Sequence, residues 1–372
     1  MSPSGGLMTT VDPFIQSRLE RALEAGVQKN HAKAGVALAL DPRSGEVLAM
    51  ASVPTLNPND PSDVERGARN RAVTDPFEPG STMKTFSIGA AVEAHLVRPD
   101  ELWNCENGRF QIGRAVIHDA EPSKILSTTE VLARSSNICT AKIARKSGKE
   151  RVDAVLRRFH FGAPTKIDLP GERAGQLRKV SRWGEIELAT ISFGQGMTAT
   201  PLQVAAGYAA LANGGIWHRP HVTRRVKDDH GQVLFEARPE SERIVDAETA
   251  RTMQKMLFAV TQKGGTAEKL AIPGYPAAGK TGTAQKVDPS TRRYSVDHWA
   301  SSFVGYAPLD APRIVLFVMV DEPSGQHFGS AVAGPIWREV MAEALRYMNV
   351  PPVAEELAAA AAAAPAGKRE AE

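Results

Sequence analysis

The sequence has little sulfur to work with: two cysteines, Cys105 and Cys139, among 372 residues. Their spacing supplies neither a metal site nor a disulfide framework. They read as two unpaired buried thiols, with pairing in an oxidising compartment as the alternative. The nine histidines are scattered. His218 and His221, the nearest pair, flank Pro220 in what reads as extended chain, so no metal is expected, and no cofactor either. Blocks of Lys/Arg interleaved with aromatics are absent and the net charge is only +3, which excludes nucleic acid as a partner. Near the N-terminus, where Met1 to Leu7 is rich in Gly and Ser, no apolar stretch is long enough for a signal peptide or a membrane span. The chain itself therefore shows no export address and no anchor. No internal repeat is apparent.

What is present is ordinary globular composition, 42% hydrophobic and 23% charged, enough for one large domain or two ordinary ones. Asp12-Pro13 marks a helix start, and Phe14, Ile15, Leu19, Ala22, Leu23 and Val27 follow at helical spacing. Gly35 to Leu40 and Val47 to Ala51 read as strands joined by a turn rich in breakers. A helix is expected from near Ser81 through Ala94. Ser127-Thr128-Thr129-Glu130 fits a capping box, and Thr200-Pro201 opens an alanine-faced helix that ends at Asn213-Gly214-Gly215. Ala277 to Gln285, Ser302 to Ala307 and Ile314 to Val320 are candidate strands, followed by a helix from about Pro335 to Met348. Strands at both ends with helices between them predict an α/β (α+β) domain: a mixed sheet with a helical subdomain inserted. The expected organisation is a tail over residues 1–11, a domain over 12–350 with the helical insertion at about 80–270, and a low-complexity Ala/Glu/Pro tail over 351–372.

Three short elements carry chemistry. Ser81-Thr82-Met83-Lys84 is an S-x-x-K element that places Ser81 and Lys84 on one helical face. A serine hydroxyl needs a neighbouring base, and a lysine can be that base only with a lowered pKa. Pro79-Gly80 sets Ser81 at a helix start, where free N–H groups favour an oxyanion. Ser135-Ser136-Asn137 is an S-x-N element: a mere polar break, or Ser135 as proton carrier and Asn137 as amide holder. Lys280-Thr281-Gly282-Thr283 lies in a predicted strand, where Gly282 marks either a bulge or a close approach to the backbone, such as a substrate's. Lys146-Ser147-Gly148 mimics the third element but reads as a helix end. Glu172 stands where a β-lactamase would carry its deacylating glutamate, yet its context, Leu169-Pro170-Gly171-Glu172, is a turn.

The order S-x-x-K, S-x-N, K-T-G is the one penicillin-interacting serine enzymes require. Together with Glu78-Pro79-Gly80-Ser81, Gly194-Gln195-Gly196, Thr200-Pro201-Leu202-Gln203 and the run from Phe303 to Pro308 and on to Asp321-Glu322-Pro323, it resembles the class B penicillin-binding proteins of the division type, from roughly Met8 to Met348. The resemblance implies the β-lactamase and D,D-peptidase superfamily fold: a five-stranded antiparallel sheet flanked by helices, beside an all-helical subdomain. It implies a D,D-transpeptidase in septal wall synthesis, acting on peptidoglycan stem peptides and acylated by β-lactams. Ser81 would be the nucleophile, Lys84 the base and Ser135 the proton relay. Asn137 would hold an amide, Lys280 would supply permanent charge, and Thr281, Gly282 and Thr283 would line the substrate. The rival functions are a serine β-lactamase and a β-lactam sensor. Family members work on the periplasmic face of the membrane through an N-terminal anchor and a pedestal domain, neither visible here. Division-machinery partners would be met through those parts.

Overall fold

The computed structural model describes residues 5–354 apart from 56, 58, 61, 63–68, 239, 289 and 292. The low-complexity end from residue 355 onward, and the first four residues of the expected N-terminal tail, lie outside them. Gly6–Thr9 is not tail but a strand, β1, because a partner is available: it pairs antiparallel with Thr223–Lys227. Helix α1, Pro13–Lys29, is capped by the Asp12 carboxylate, which accepts from Phe14 N and Ile15 N. It buries Ile15, Leu19, Ala22, Leu23 and Val27. Strands β2 (Ala34–Leu40) and β3 (Val47–Val53) follow as a hairpin.

Four helices of the intervening stretch matter to the site. They are α2 (Lys84–Glu93), α3 (Thr128–Ala133), α4 (Asn137–Ser147) and α5 (Glu185–Ser192). Helix α3 carries the expected capping box between Ser127 and Glu130, and Gly148 ends α4 at φ +82°. Helix α6, Pro201–Ala212, has its Thr200/Gln203 capping box and is buried on every side. It packs on the sheet, against β2 and the strands labelled β9 and β10 below, and also against the helix Ala247–Phe258.

After β6 (Thr223–Lys227) and β7 (Val233–Glu236) come three long strands, β8 (Ala278–Val287), β9 (Tyr294–Ala307) and β10 (Ile314–Asp321). The central sheet has the order β8-β9-β10-β2-β3, all antiparallel, so β8 stands at an edge. Strand β10 is buried along nearly its whole length, as its unbroken apolar run requires. Helix α7, Gly329–Tyr347, starts six residues before the expected Pro335. The reason is packing: a Cβ on Gly329 would sit 2.2 Å from Ser302 O and 2.4 Å from Gly282 O. Small residues that weaken a helix by propensity are what let this one start directly on the strands.

Cys105 and Cys139 form a disulfide, Cα to Cα 5.2 Å, which corrects the expectation of two free thiols. The segment holding Cys105 folds across the first turn of α4. A separation of 34 residues carries no hint of that contact.

Candidate active site

The chain enters the site through Pro79 and a 3₁₀ turn, Gly80–Met83, before α2 begins at Lys84. The expected helix start at Ser81 is therefore a tighter coil, in which side chains three apart eclipse each other, so Ser81 and Lys84 share a face. Behind this turn Gly80 N donates to Gly194 O at 3.1 Å, and Tyr208 of α6 donates to Thr82 O at 2.9 Å. The turn is thus anchored to two segments the motif does not include.

Lys84 and Lys280 are both fully buried, and both reach one hydroxyl. Lys84 Nζ lies 3.0 Å from Ser135 Oγ and also donates to the Ser135 carbonyl. Lys280 Nζ lies 2.9 Å from Ser135 Oγ, with Thr281 O and Oγ1 at 3.2 and 3.3 Å. Burial pushes the Lys84 amine down to about 7, against the pull of Asp119, which favours its charged form. Burial also lowers Lys280 well below its ordinary value, helped by Lys84. This departs from the expectation that Lys280 keeps a permanent charge. Two ammonium groups facing one hydroxyl in a dry site repel, so at most one keeps its proton comfortably. The other is an amine to which Ser135 Oγ can donate.

Ser135 holds a left-handed backbone, φ +63°, rare for a residue with a Cβ. It is the break between α3 and α4, so the polar-break reading and the site reading describe one feature. Asn137 opens α4 and donates from Nδ2 to His118 O at 2.8 Å. Thr281 Oγ1 meets Thr266 Oγ1 at 3.1 Å, and Thr283 Oγ1 accepts from Gly329 N at 3.1 Å. Register along β8 is regular through Thr283 opposite Ser301, and its irregularity falls later, between Gln285 and Val287. Gly282 is therefore no bulge. A Cβ there would sit 2.3 Å from Ser302 Oγ and 3.1 Å from Thr82 Cγ2. The close approach that demands glycine is made by Ser302 of β9, with Thr82 of the Gly80–Met83 turn behind it.

The two decoys resolve as structure. Gly148 caps a helix, and Glu172 accepts from Thr165 N and Oγ1 and from Lys166 N, which ties down its own turn. Sequence reasoning missed Asp119, Thr266 and Glu78. Glu78, whose carboxyl burial pushes up, accepts from Gly196 N at 2.9 Å and from the Tyr294 hydroxyl at 3.0 Å. Each is distant in sequence from what it touches, and only Glu78 lies in a quoted motif. Among the described residues no metal-binding cluster occurs and no helix is long and apolar enough to cross a membrane.

A five-stranded antiparallel sheet with helices around it, and a serine held between two buried lysines beside its edge strand, define the fold of the penicillin-interacting serine proteins. The chain belongs to the penicillin-binding protein transpeptidase domain family, whose description matches residues 35–342, and within it to class B. It is similar to the peptidoglycan D,D-transpeptidase FtsI of Escherichia coli, 36% identical over 93% of this chain. It spans 57% of that relative, little more than half its length. Among solved structures it resembles the transpeptidase domain of Burkholderia pseudomallei penicillin-binding protein 3, with TM-score 0.81 and 37% identity over 92% of this chain and 97% of the other. It also resembles Mycobacterium tuberculosis penicillin-binding protein 3 in complex with aztreonam, with TM-score 0.87 and 33% identity over 94% of this chain and 80% of that one.

Proposed function

We propose that the chain is a serine D,D-transpeptidase domain that cross-links peptidoglycan stem peptides during septal wall synthesis and is acylated by β-lactams. The observation that carries this reading is the single Ser135 hydroxyl held between two buried lysines, one of which, Lys84, follows Ser81 by one 3₁₀ turn. Ser81 Oγ attacks the carbonyl of a penultimate D-alanine while neutral Lys84 takes its proton. Backbone N–H groups of Ser81 and Thr283 receive the oxyanion. Ser135 passes the proton to the amine of the departing terminal D-alanine. An amino group from a neighbouring stem then attacks the ester, forms the cross-link and frees Ser81. Asn137 holds the substrate amide, Thr281 and Thr283 bind the terminal carboxylate, and Gly282 keeps that stretch of strand free of a side chain. An arriving carboxylate favours the charged form of Lys280 against the burial that lowers its pKa.

The Cys105–Cys139 disulfide supports an oxidising, extracytoplasmic setting, on the periplasmic face of the membrane. Partners from the division machinery are part of the same reading. The test is labelling with a fluorescent penicillin, followed by mass spectrometry of the adduct. One stable adduct on Ser81 is expected. An adduct on another serine, or rapid turnover of a chromogenic cephalosporin, sinks the transpeptidase reading.

A further inference from the structure

A small hairpin, β4 (Arg109–Ile112) paired with β5 (Ala115–His118), forms a sheet of its own apart from the central one. It has an apolar cluster of its own, in which Ile112 and Ile117 meet Ile138 and Ala141 of α4 and Ala189 of α5. Directly after the hairpin comes Asp119, and its carboxylate takes donors from three successive residues at the start of α4. Ser136 Oγ donates to Oδ2 at 2.6 Å, while Asn137 N and Ile138 N donate to Oδ1 at 2.6 and 3.0 Å. The adjacent His118 carbonyl takes the Asn137 side chain. Two more ties converge on the same helix: the disulfide to Cys139, and Lys142 Nζ donating to Asn104 O at 2.7 Å.

We propose that Asp119 is a positioning residue for the acyl-transfer site, clamping the turn that presents Ser135 and Asn137. The proposal rests on the transpeptidase reading. Its physical basis is that the turn holds itself only in part: Ser136 Oγ accepts from Cys139 N and Ser136 N donates to Val131 O, while Asn137 N and Ile138 N find their acceptor in Asp119. Ser135 sits in an unfavourable left-handed conformation, and the first N–H groups of α4 have no partners within the helix. A carboxylate is the group that satisfies such N–H groups best, and it adds charge where the helix favours it. That charge also favours the protonated form of the Lys84 amine against burial, while Lys280 Nζ of β8 reaches the same Ser135 hydroxyl. Asp119 therefore acts on the site twice, through the position of Ser135 and through the potential at the amine.

The experiment measures the second-order rate of Ser81 acylation by benzylpenicillin from pH 5 to 9 in the unaltered chain, Asp119→Asn and Ser136→Ala. Asp119→Asn is expected to lower the plateau by up to about a hundredfold. It should also move the rising limb to lower pH, because an amine relieved of a nearby carboxylate gives up its proton more readily. NMR titration of the Lys84 amine should show the same acid shift without any acylation. Ser136→Ala keeps the charge, so its plateau should fall with the limb unmoved. An Asp119→Asn limb that stays put reduces Asp119 to a helix cap and overturns the proposal. If Asp119→Asn fails to fold, an unaltered plateau in Ser136→Ala overturns it instead. Failure of the unaltered chain to acylate at Ser81 counts against the parent reading, and the Lys84 titration then judges Asp119 separately.

Discussion

The two walls of the cleft are built by different means. Lys280, Thr281 and Thr283 stand on β8, held by a regular ladder to β9 and, through it, by the main core. Ser135 lies in the three-residue break between α3 and α4 and Asn137 opens α4, both held by the Asp119 carboxylate and the His118 carbonyl at the end of a separate hairpin, and by the Cys105–Cys139 disulfide just before that hairpin. The first wall inherits its rigidity from a large cooperative unit. The second shares that core through Val131 and Leu132 of α3 and Ile143 and Ala144 of α4, but the turn between them is held by a handful of polar ties. Local openings of folded proteins concentrate where buried apolar contacts are few, so the S-x-N wall is the one to move first.

The largest effect expected belongs to neither wall. Ser81→Ala should abolish covalent penicillin labelling with the fold intact by circular dichroism, because both walls serve this one hydroxyl. Residual labelling would mean that another serine is within their reach. Next come the lysines, one on each side of the shared hydroxyl. Lys84→Arg keeps charge and removes the base, since guanidinium does not deprotonate in proteins, and acylation should fall by at least about a hundredfold. Lys280→Arg should cost less, as the strand wall needs a cation there once a carboxylate arrives. Equal losses, or a larger loss at Lys280, would exchange the two roles.

The third effect is on the order of tenfold per pH unit. Lys84 serves as a base only when neutral, and burial places its pKa at about 7. Acylation should therefore climb as pH rises toward 7 and level off above it. A flat profile between pH 5 and 8 would remove Lys84 as the titrating base. The smallest effect tests the walls against each other. Cys105→Ser opens the tie on α4 and should cost about 2–5 kcal/mol of stability. Gly282→Ala overpacks the strand wall against Ser302 and should cost about 1–3 kcal/mol. Hydrogen exchange should show the first loss spreading through the hairpin and the S-x-N turn, and the second through β8 and β9. A uniform loss in both would erase the distinction between the walls.

The same contrast explains what could be read from the sequence. Strands β2, β3 and β10 and helices α1, α3 and α6 are legible because period, caps and breakers act within a few residues. The three motifs are legible for the same reason, and the chemistry each needs is local. Lys280 is different: its identity is visible, but its full burial beside Lys84, which decides its charge, is a product of packing. Gly282 announces a close approach without saying that Ser302 and Thr82 make it. The start of α7 at Gly329 goes against its composition. Asp119 and the cysteine pair leave no local trace, because they act across 17 to 34 residues on a turn they do not adjoin.

The place of β8 at the margin of the central sheet has a consequence for solubility. A long strand with one unpaired side is a template for pairing with a stranger, and proteins usually blunt such margins with charge, proline or a bulge. Over Ala278–Thr283 this strand has almost none of that protection: it is small, regular in register and nearly devoid of exposed charge. Its cover is the wall opposite, where Ser135 and the nucleophile turn stand too close for a second sheet to enter. Loosening the Ser135 turn, as in Asp119→Asn, is expected to uncover that margin and to show as loss of protein from solution on gentle warming.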